Sequence, residues 1–315
     1  MKLIILLFAL LTVPLFGKAA ATDTVKVGAY VISVHDINFH DKEYTVRFWL
    51  WFLYNNNPEF DFTTQLDIPN AKTIEPPESI IDTVAGKTWV MLKMKCTMKE
   101  NWSVQDFPFD KQHLKVCIEN SILDNSLLIF DPDSNGSKID DEEAIDGWAI
   151  SNFRVGVRDN KYFTGFGDPR PGKDNQTFSQ FTIDMDIERD AWGLFMKIFL
   201  GMYIAFLISI ISFTPHPSEM EPRFGLPVGG LFAAVGNKYI IDSLLPESSA
   251  FSLVDTLHAL TFIAIFGTLL VSAIALRLFD MGKKELAEQT NRRGARIVVA
   301  TYVILNIVFI ALAVI

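Results

Sequence analysis

The chain changes character near residue 190, where the spacing of its apolar positions changes. Before that point hydrophobic and polar residues alternate in short runs. Residues 44–52, 88–95, 113–118 and 178–187 are rich in aromatic and β-branched side chains at a period near two, the pattern of half-buried strands. Clusters rich in Pro, Asn, Asp and Gly at 55–58, 75–77, 131–133 and 168–172 separate them. Many short strands with no helical period predict an antiparallel β-sandwich over residues 22–190.

Beyond residue 190 the apolar residues form long runs. Residues 192–213, 256–279 and 297–315 are nearly uncharged, each close to the length a bilayer-crossing helix needs. Residues 223–245 are apolar but weaker, with Gly225, Gly229, Gly230, Gly236, Asn237, Lys238 and Asp242 among them. At about 1.5 Å rise per residue this segment is just long enough to cross. The predicted fold is therefore an all-β extracellular sandwich followed by an all-α transmembrane domain of four helices over residues 191–315.

The first 21 residues read as a secretory signal: Lys2, an apolar stretch over 3–16, and small residues Ala19, Ala20 and Ala21. Cleavage would leave a mature chain starting near Thr22; an uncleaved anchor helix is the alternative. With the sandwich exported, Lys283, Lys284, Arg292, Arg293 and Arg296 form a basic loop between the third and fourth spans. Residues 246–255 carry no Lys or Arg. The positive-inside rule then puts the basic loop in the cytoplasm and the C-terminus outside.

Composition narrows the function. Half of the 315 residues are hydrophobic, 21% are charged, and the net charge is −9, which excludes a disordered chain and a nucleic-acid binder. Residues 1–190 hold 19 Lys and Arg against 29 Asp and Glu, so the predicted exported half is acidic. No enzyme constellation is present: His35, His40, His113, His216 and His258 show no HExxH spacing, and there is no Gly-x-Ser-x-Gly elbow or phosphate-binding glycine loop. The two cysteines, Cys96 and Cys117, are too few for a thiolate zinc cluster. They lie at similar distances from Phe107, so a hairpin centred there would place them on opposing strands. A disulfide, allowed by export, and two buried free thiols both fit.

The weak span is the informative one. Polar residues facing lipid are costly, so they usually face a bundle interior or a wet path. Steps of three and four place Glu221, Gly225, Gly229, Phe232, Gly236, Tyr239 and Ser243 on one face. Several copies around an axis would line a pore with an acidic inner mouth and aromatic constrictions, and carboxylate rings attract cations. The competing reading is that Gly225 and Gly229 only allow close helix packing.

Phe107-Pro108-Phe109-Asp110-Lys111-Gln112 resembles the Phe-Pro-Phe-Asp-x-Gln signature of pentameric ligand-gated ion channels, specifically the bacterial relatives of the Cys-loop receptors. It lies between two predicted strands of a sandwich that precedes four membrane spans, as in that family. The resemblance implies a homopentamer in a bacterial cytoplasmic membrane. It places Phe107, Pro108, Phe109 and Asp110 on the membrane side of the sandwich, against the link of residues 246–255 that begins at Pro246. Arg189 matches the family's pre-membrane arginine, so an Asp110–Arg189 ion pair is expected. Counting back from Pro246, the family's pore positions coincide with the stripe from Glu221 to Ser243. Phe232 stands where the family commonly has an aliphatic residue, which suggests a tight closed gate. Glu221 favours permeant cations, whereas Pro222 and Arg223 are similar to the inner mouth of anion-selective members. Glu100 and Leu114 occupy the places of the family's paired cysteines, and the usual proline of the first span is missing near Gly201.

The resemblance also implies a small-molecule agonist bound between subunits, with Trp49 on one face and Glu119, Tyr162 and Phe178 on the other. A carboxylate among aromatic rings suits an amine, although Ser121 stands where close relatives have an aromatic residue. Taken singly, each aromatic also fits a place in the sandwich core. No cofactor is required. Asp131, Asp133, Asn135 and Glu142, with Gly136, fit the spacing of a calcium loop, with calcium as a modulator. An acidic, solvated loop is the plainer reading, since no helices are predicted to flank it. The rival to a channel is a non-conducting, membrane-anchored extracellular binding or sensor protein.

Overall fold

The computed structural model describes residues 22–140, 147–168, 174–246 and 250–314. The predicted signal segment lies outside them. Eleven strands precede four helices among the described residues: β1 (Asp23–Asn38), β2 (Glu43–Asn55), β3 (Leu66–Asp67), β4 (Ala71–Ile74), β5 (Glu78–Val84), β6 (Lys87–Lys99), β7 (Lys111–Asn120), β8 (Leu128–Pro132), β9 (Lys138–Ile139), β10 (Trp148–Tyr162) and β11 (Gln176–Arg189), then α1 (Ala191–Ile211), α2 (Met220–Asp242), α3 (Leu253–Asp280) and α4 (Lys284–Val314).

The strands form two sheets. One runs β4-β6-β2-β1-β8, with β5 also on β6 and β9 on β1; the other runs β10-β11-β7-β3. Period-two alternation builds the core between them. On β2, Tyr44, Val46, Phe48, Leu50, Phe52 and Tyr54 are buried, while Arg47, Trp49 and Trp51 face outward. Leu92, Met94 and Cys96 of β6 meet Leu114, Val116 and Ile118 of β7 and Phe181, Ile183 and Met185 of β11 in one apolar cluster. Each such side chain, fully buried, contributes about 1.5–3 kcal/mol.

One expectation fails here. β6 and β7 do not form a hairpin: they belong to different sheets. The reason is that both edges of β6 are occupied, by β2 on one side and by β4 and β5 on the other. β7 pairs instead with β11 and β3. Cys96 and Cys117 are buried free thiols, so the disulfide is excluded. Burial pushes the Cys96 thiol up to about 12 and raises that of Cys117.

All four helices are long and apolar enough to cross a membrane, as a multi-pass membrane protein requires. Ser252 and Asp255 form a reciprocal capping box that starts α3 at Leu253. The predicted basic loop is largely helix. The turn between α3 and α4 is short, with Gly282 at φ +77°, a conformation that favours glycine. Lys284, Arg292, Arg293 and Arg296 sit in the first turns of α4. Glu, Leu, Ala, Gln and Arg there are strong helix formers, and Glu288 pairs with Arg292 one turn on at 3.4 Å. The apolar cluster of the sheets continues into Phe195, Ile198 and Phe199 of α1 and Leu253, Val254 and Leu257 of α3.

Candidate functional sites

The junction between sheets and helices is built around one buried ion pair. Arg189 closes β11, and its Nε donates to Asp110 Oδ1 at 3.2 Å, with both side chains largely buried. Three rings surround the guanidinium: Trp148 at 4.0 Å, Phe39 at 4.9 Å and Phe107 at 5.1 Å. Cation–π attraction strengthens where water is excluded. The other Asp110 oxygen accepts from Gln112 Nε2 at 2.6 Å, and Gln112 is held by the Ser103 backbone at 3.0 and 2.7 Å. Asp110 and Gln112 of the six-residue motif thus form one network.

The same loop reaches the helices. Phe109 stands edge-on to Trp192 at 5.1 Å and leans on Phe195 at 5.5 Å. The Leu253 amide, at the start of α3, donates to the Gln105 carbonyl at 2.7 Å. Beside these contacts lies a cavity of about 360 Å³ bordered by His40, Val104, Lys238, Asp242, Pro246 and Asp255. Lys238 of α2 pairs there with Asp242 and, at 2.8 Å, with Asp255 of α3. Residues 247–249 of the link lie outside the described residues.

Helix α2 has two unlike faces. Arg223, Pro227, Gly230, Ala234 and Ile241 are buried against neighbouring helices, whereas Glu221, Gly225, Gly229, Phe232, Gly236, Tyr239 and Ser243 are all exposed in the single chain. Phe232 is 72% and Tyr239 77% exposed. Ser243 lies one residue past the helix end, as its C-cap.

The packing glycine is Gly230. A Cβ there would stand 2.2 Å from Ser209 Oγ and 2.6 Å from the Ala205 carbonyl oxygen of α1. At Gly225, Gly229 and Gly236 a Cβ would meet nothing within 4 Å. Gly225 and Gly229 therefore do not serve packing within the chain.

Asn237 and Arg223 of α2 are partnered by other helices. Asn237 Nδ2 donates to the Ile198 carbonyl of α1 at 3.1 Å, and its Oδ1 lies 3.1 Å from His258 Nε2 of α3. Arg223, read from the sequence as part of the inner mouth, turns away from the stripe and is fully buried. It donates to the Pro215 carbonyl at 2.9 Å, to Asn291 Oδ1 of α4 at 2.5 Å and to Ser272 Oγ of α3 at 3.5 Å. Residues two apart on a helix are rotated by about 200°, so Glu221 and Arg223 occupy opposite faces.

At the other end, the predicted ligand residues divide. Tyr162 of β10 and Phe178 of β11 meet edge to face at 5.7 Å, and Phe166, at φ +51°, joins Tyr162 at 5.5 Å. Phe166, 62% exposed, completes this aromatic group, a member that sequence reasoning missed, whereas Phe163, 82% exposed, carries Lys161 Nζ 5.3 Å from its ring centre. The Phe163-Thr164-Gly165-Phe166-Gly167 run was the available signal.

Glu119 is a correction. It is buried, and its carboxylate accepts from Asn160 at 2.7 Å, from Tyr162 OH at 3.0 Å and from Gln180. A carboxylate with these donors positions Tyr162 rather than facing a ligand. Burial and the bond to Glu119 push the Tyr162 hydroxyl up to about 12. Trp49 lies on the outer face of the other sheet, with Lys93 Nζ 5.5 Å from its ring centre, so the face of this ring already carries a cation.

The acidic segment is spent locally. Asp133 pairs with Lys26 at 3.1 Å and accepts from Trp51 Nε1 at 3.4 Å. Gly136 is needed because a Cβ there would sit 2.5 Å from an Asp133 carboxylate oxygen. Asp131 is an exposed residue of β8, Asn135 is exposed, and Glu142 lies outside the described residues. Among the described residues no group of three or more His, Cys, Asp or Glu side chains is arranged to hold a metal ion.

No protein-family model matches the sequence, and no curated protein matches it.

Proposed function

We propose that the chain is one subunit of a homopentameric ligand-gated ion channel that prefers cations. In this reading the sheets lie outside a bacterial cytoplasmic membrane, and the helices cross it. The observation that carries the reading is the face of α2 from Glu221 to Ser243. It is open in the isolated chain, lined by glycines that pack against nothing, and has a carboxylate at one end and exposed Phe232 and Tyr239 along it. Five such faces around an axis would enclose a wet path, with Phe232 as a ring able to gate by dewetting. The burial of Arg223 leaves Glu221 as the charged side chain on that face.

A small ligand at the aromatic group of Tyr162, Phe166 and Phe178 would favour one arrangement of neighbouring sandwiches by differential affinity. The Asp110–Arg189 pair, Phe109 on α1 and Leu253 on the Gln105 carbonyl supply rigid links from the sheets to α1 and α3. The Lys238–Asp255 pair then ties α3 to α2.

Purified protein in a planar bilayer under a sodium chloride gradient is expected to pass current reversing near the sodium potential, and Glu221→Gln to move the reversal toward chloride. Cysteines placed singly from Glu221 to Ser243 should react with water-soluble thiol reagents at the seven stripe positions. Protection along the whole helix would favour the non-conducting anchored sensor instead.

A further inference from the structure

We propose that Asn291, on α4 and remote from the stripe, sets the ion preference of the pore by holding the Arg223 charge inside the helices. The inference rests on the channel reading and adds a residue to it. Glu221 and Arg223 lie two residues apart at the same end of α2. At a pore mouth a carboxylate and a guanidinium select opposite ions, so the place each side chain takes decides the preference. Glu221 is exposed on the stripe, and Arg223 is fully buried.

Such burial is unusual for an arginine, which ordinarily packs its stem and keeps its charged head in water. Here the head is inside, and no carboxylate among the described residues pairs with it. Its acceptors are all neutral: the Pro215 carbonyl, Ser272 Oγ and Asn291 Oδ1, while Nε has none. A guanidinium is always charged, and this one lies in the first turn of α2, where the helix dipole adds positive potential. A buried charge without a counter-charge is costly. The guanidinium therefore stays inside only while its few acceptors hold it.

Asn291 is the side chain that holds it most closely. Its Oδ1 lies 2.5 Å from Arg223 Nη2, against 3.5 Å for Ser272 Oγ. Asn291 is itself fixed, because its Nδ2 donates to the Phe213 carbonyl at 2.9 Å. A flipped amide would set its NH2 against the guanidinium and its oxygen against that carbonyl, so the network admits one orientation. Without this acceptor, water beside Glu221 becomes the better place for the charged head, and the guanidinium there offsets the carboxylate.

Wild type and variants are compared in a planar bilayer under a sodium chloride gradient. Asn291→Leu keeps the volume and removes the acceptor, and its reversal is expected to shift from the sodium potential toward the chloride potential. Adding Arg223→Gln should undo that shift, and Asn291→Asp, which keeps an acceptor oxygen, should retain the wild-type reversal. A second readout needs no current: p-hydroxyphenylglyoxal, a water-soluble arginine reagent, should modify Arg223 in Asn291→Leu and spare it in the wild type, read by mass spectrometry. Should Asn291→Leu not fold, Asn291→Ala takes its place. With a cation-selective wild type, an unchanged reversal in Asn291→Leu overturns the inference. So does a shift that survives Arg223→Gln, a shift in Asn291→Asp, or equal labelling of Arg223 in wild type and Asn291→Leu. A wild type reversing near chloride overturns both the cation preference and this account of it. A wild type without current sinks the channel reading and the selectivity role with it, and the labelling then decides separately whether Asn291 holds Arg223.

Discussion

The sheet–helix junction and the exposed face of α2 differ in how far one chain completes them. At the junction Asp110 is buried, both its oxygens are bonded, and three aromatic rings close around Arg189. On α2, three glycines touch nothing and two aromatic rings are about three-quarters exposed. Polar groups removed from water must find partners within the fold, and at the junction the chain supplies them for both Asp110 oxygens and for Arg189 Nε, while Arg189 Nη2 is buried without a hydrogen-bond partner. The α2 stripe carries no such requirement, and its small residues would be wasted against lipid. In the proposed channel this surface faces water and further copies of the chain.

The strongest way to break this contrast is Asp110→Ala. It strands the buried Arg189 charge and should cost about 3–5 kcal/mol, seen as a large drop in melting temperature in detergent; a wild-type melt would mean the junction is not the tighter region. Next comes a glycine pair on α2. Gly230→Ala forces a methyl into Ser209 and the Ala205 carbonyl and should destabilise by about 1–3 kcal/mol. Gly229→Ala enters open space and should be neutral or stabilise by up to about 1 kcal/mol. Equal melting of the two variants would remove the distinction between the helix faces.

A smaller effect comes from Glu100, in the segment leading to Phe107, whose carboxyl is raised by burial. The folded state therefore holds this proton more tightly than the unfolded state. Stability falls as pH rises from about 4.5 to the higher folded value and stays lower beyond it. Glu100→Gln should abolish that loss: the variant gains on the wild type above the window and not below it, measured as melting temperature against pH. The smallest expected effect is at the native cysteines. Buried thiols with raised pKa values should not react with water-soluble reagents at neutral pH, measured by mass spectrometry. Labelling of the unsubstituted chain would put the openness of its surfaces in question.

Much of the fold is legible in the sequence. The alternation along residues 44–52 marked the buried side of β2, and the long apolar runs located α1 and α3 to within a few residues. The phase of the α2 stripe follows from helical spacing alone, and a rotation of about 200° over two residues separates Arg223 from Glu221. The pairing of β6 was not readable, because which strand takes an edge depends on partners far along the chain. Nor was the burial of Glu119, whose donors Asn160, Tyr162 and Gln180 lie more than forty residues away on β10 and β11. The start of α4 is poorly legible, because a cluster of charges has the composition of a loop although its residues favour helix.

Local periodicity was enough to establish a strand-rich half, four apolar helices and the face on which each α2 residue lies, because those properties depend on neighbours within a few residues. The direction each face turns, toward core, toward a neighbouring helix or toward open space, required the assembled chain. Burial and ion pairing are set by groups that meet only after folding. For that reason the Arg189 cage and the packing role of Gly230 came into view only in three dimensions.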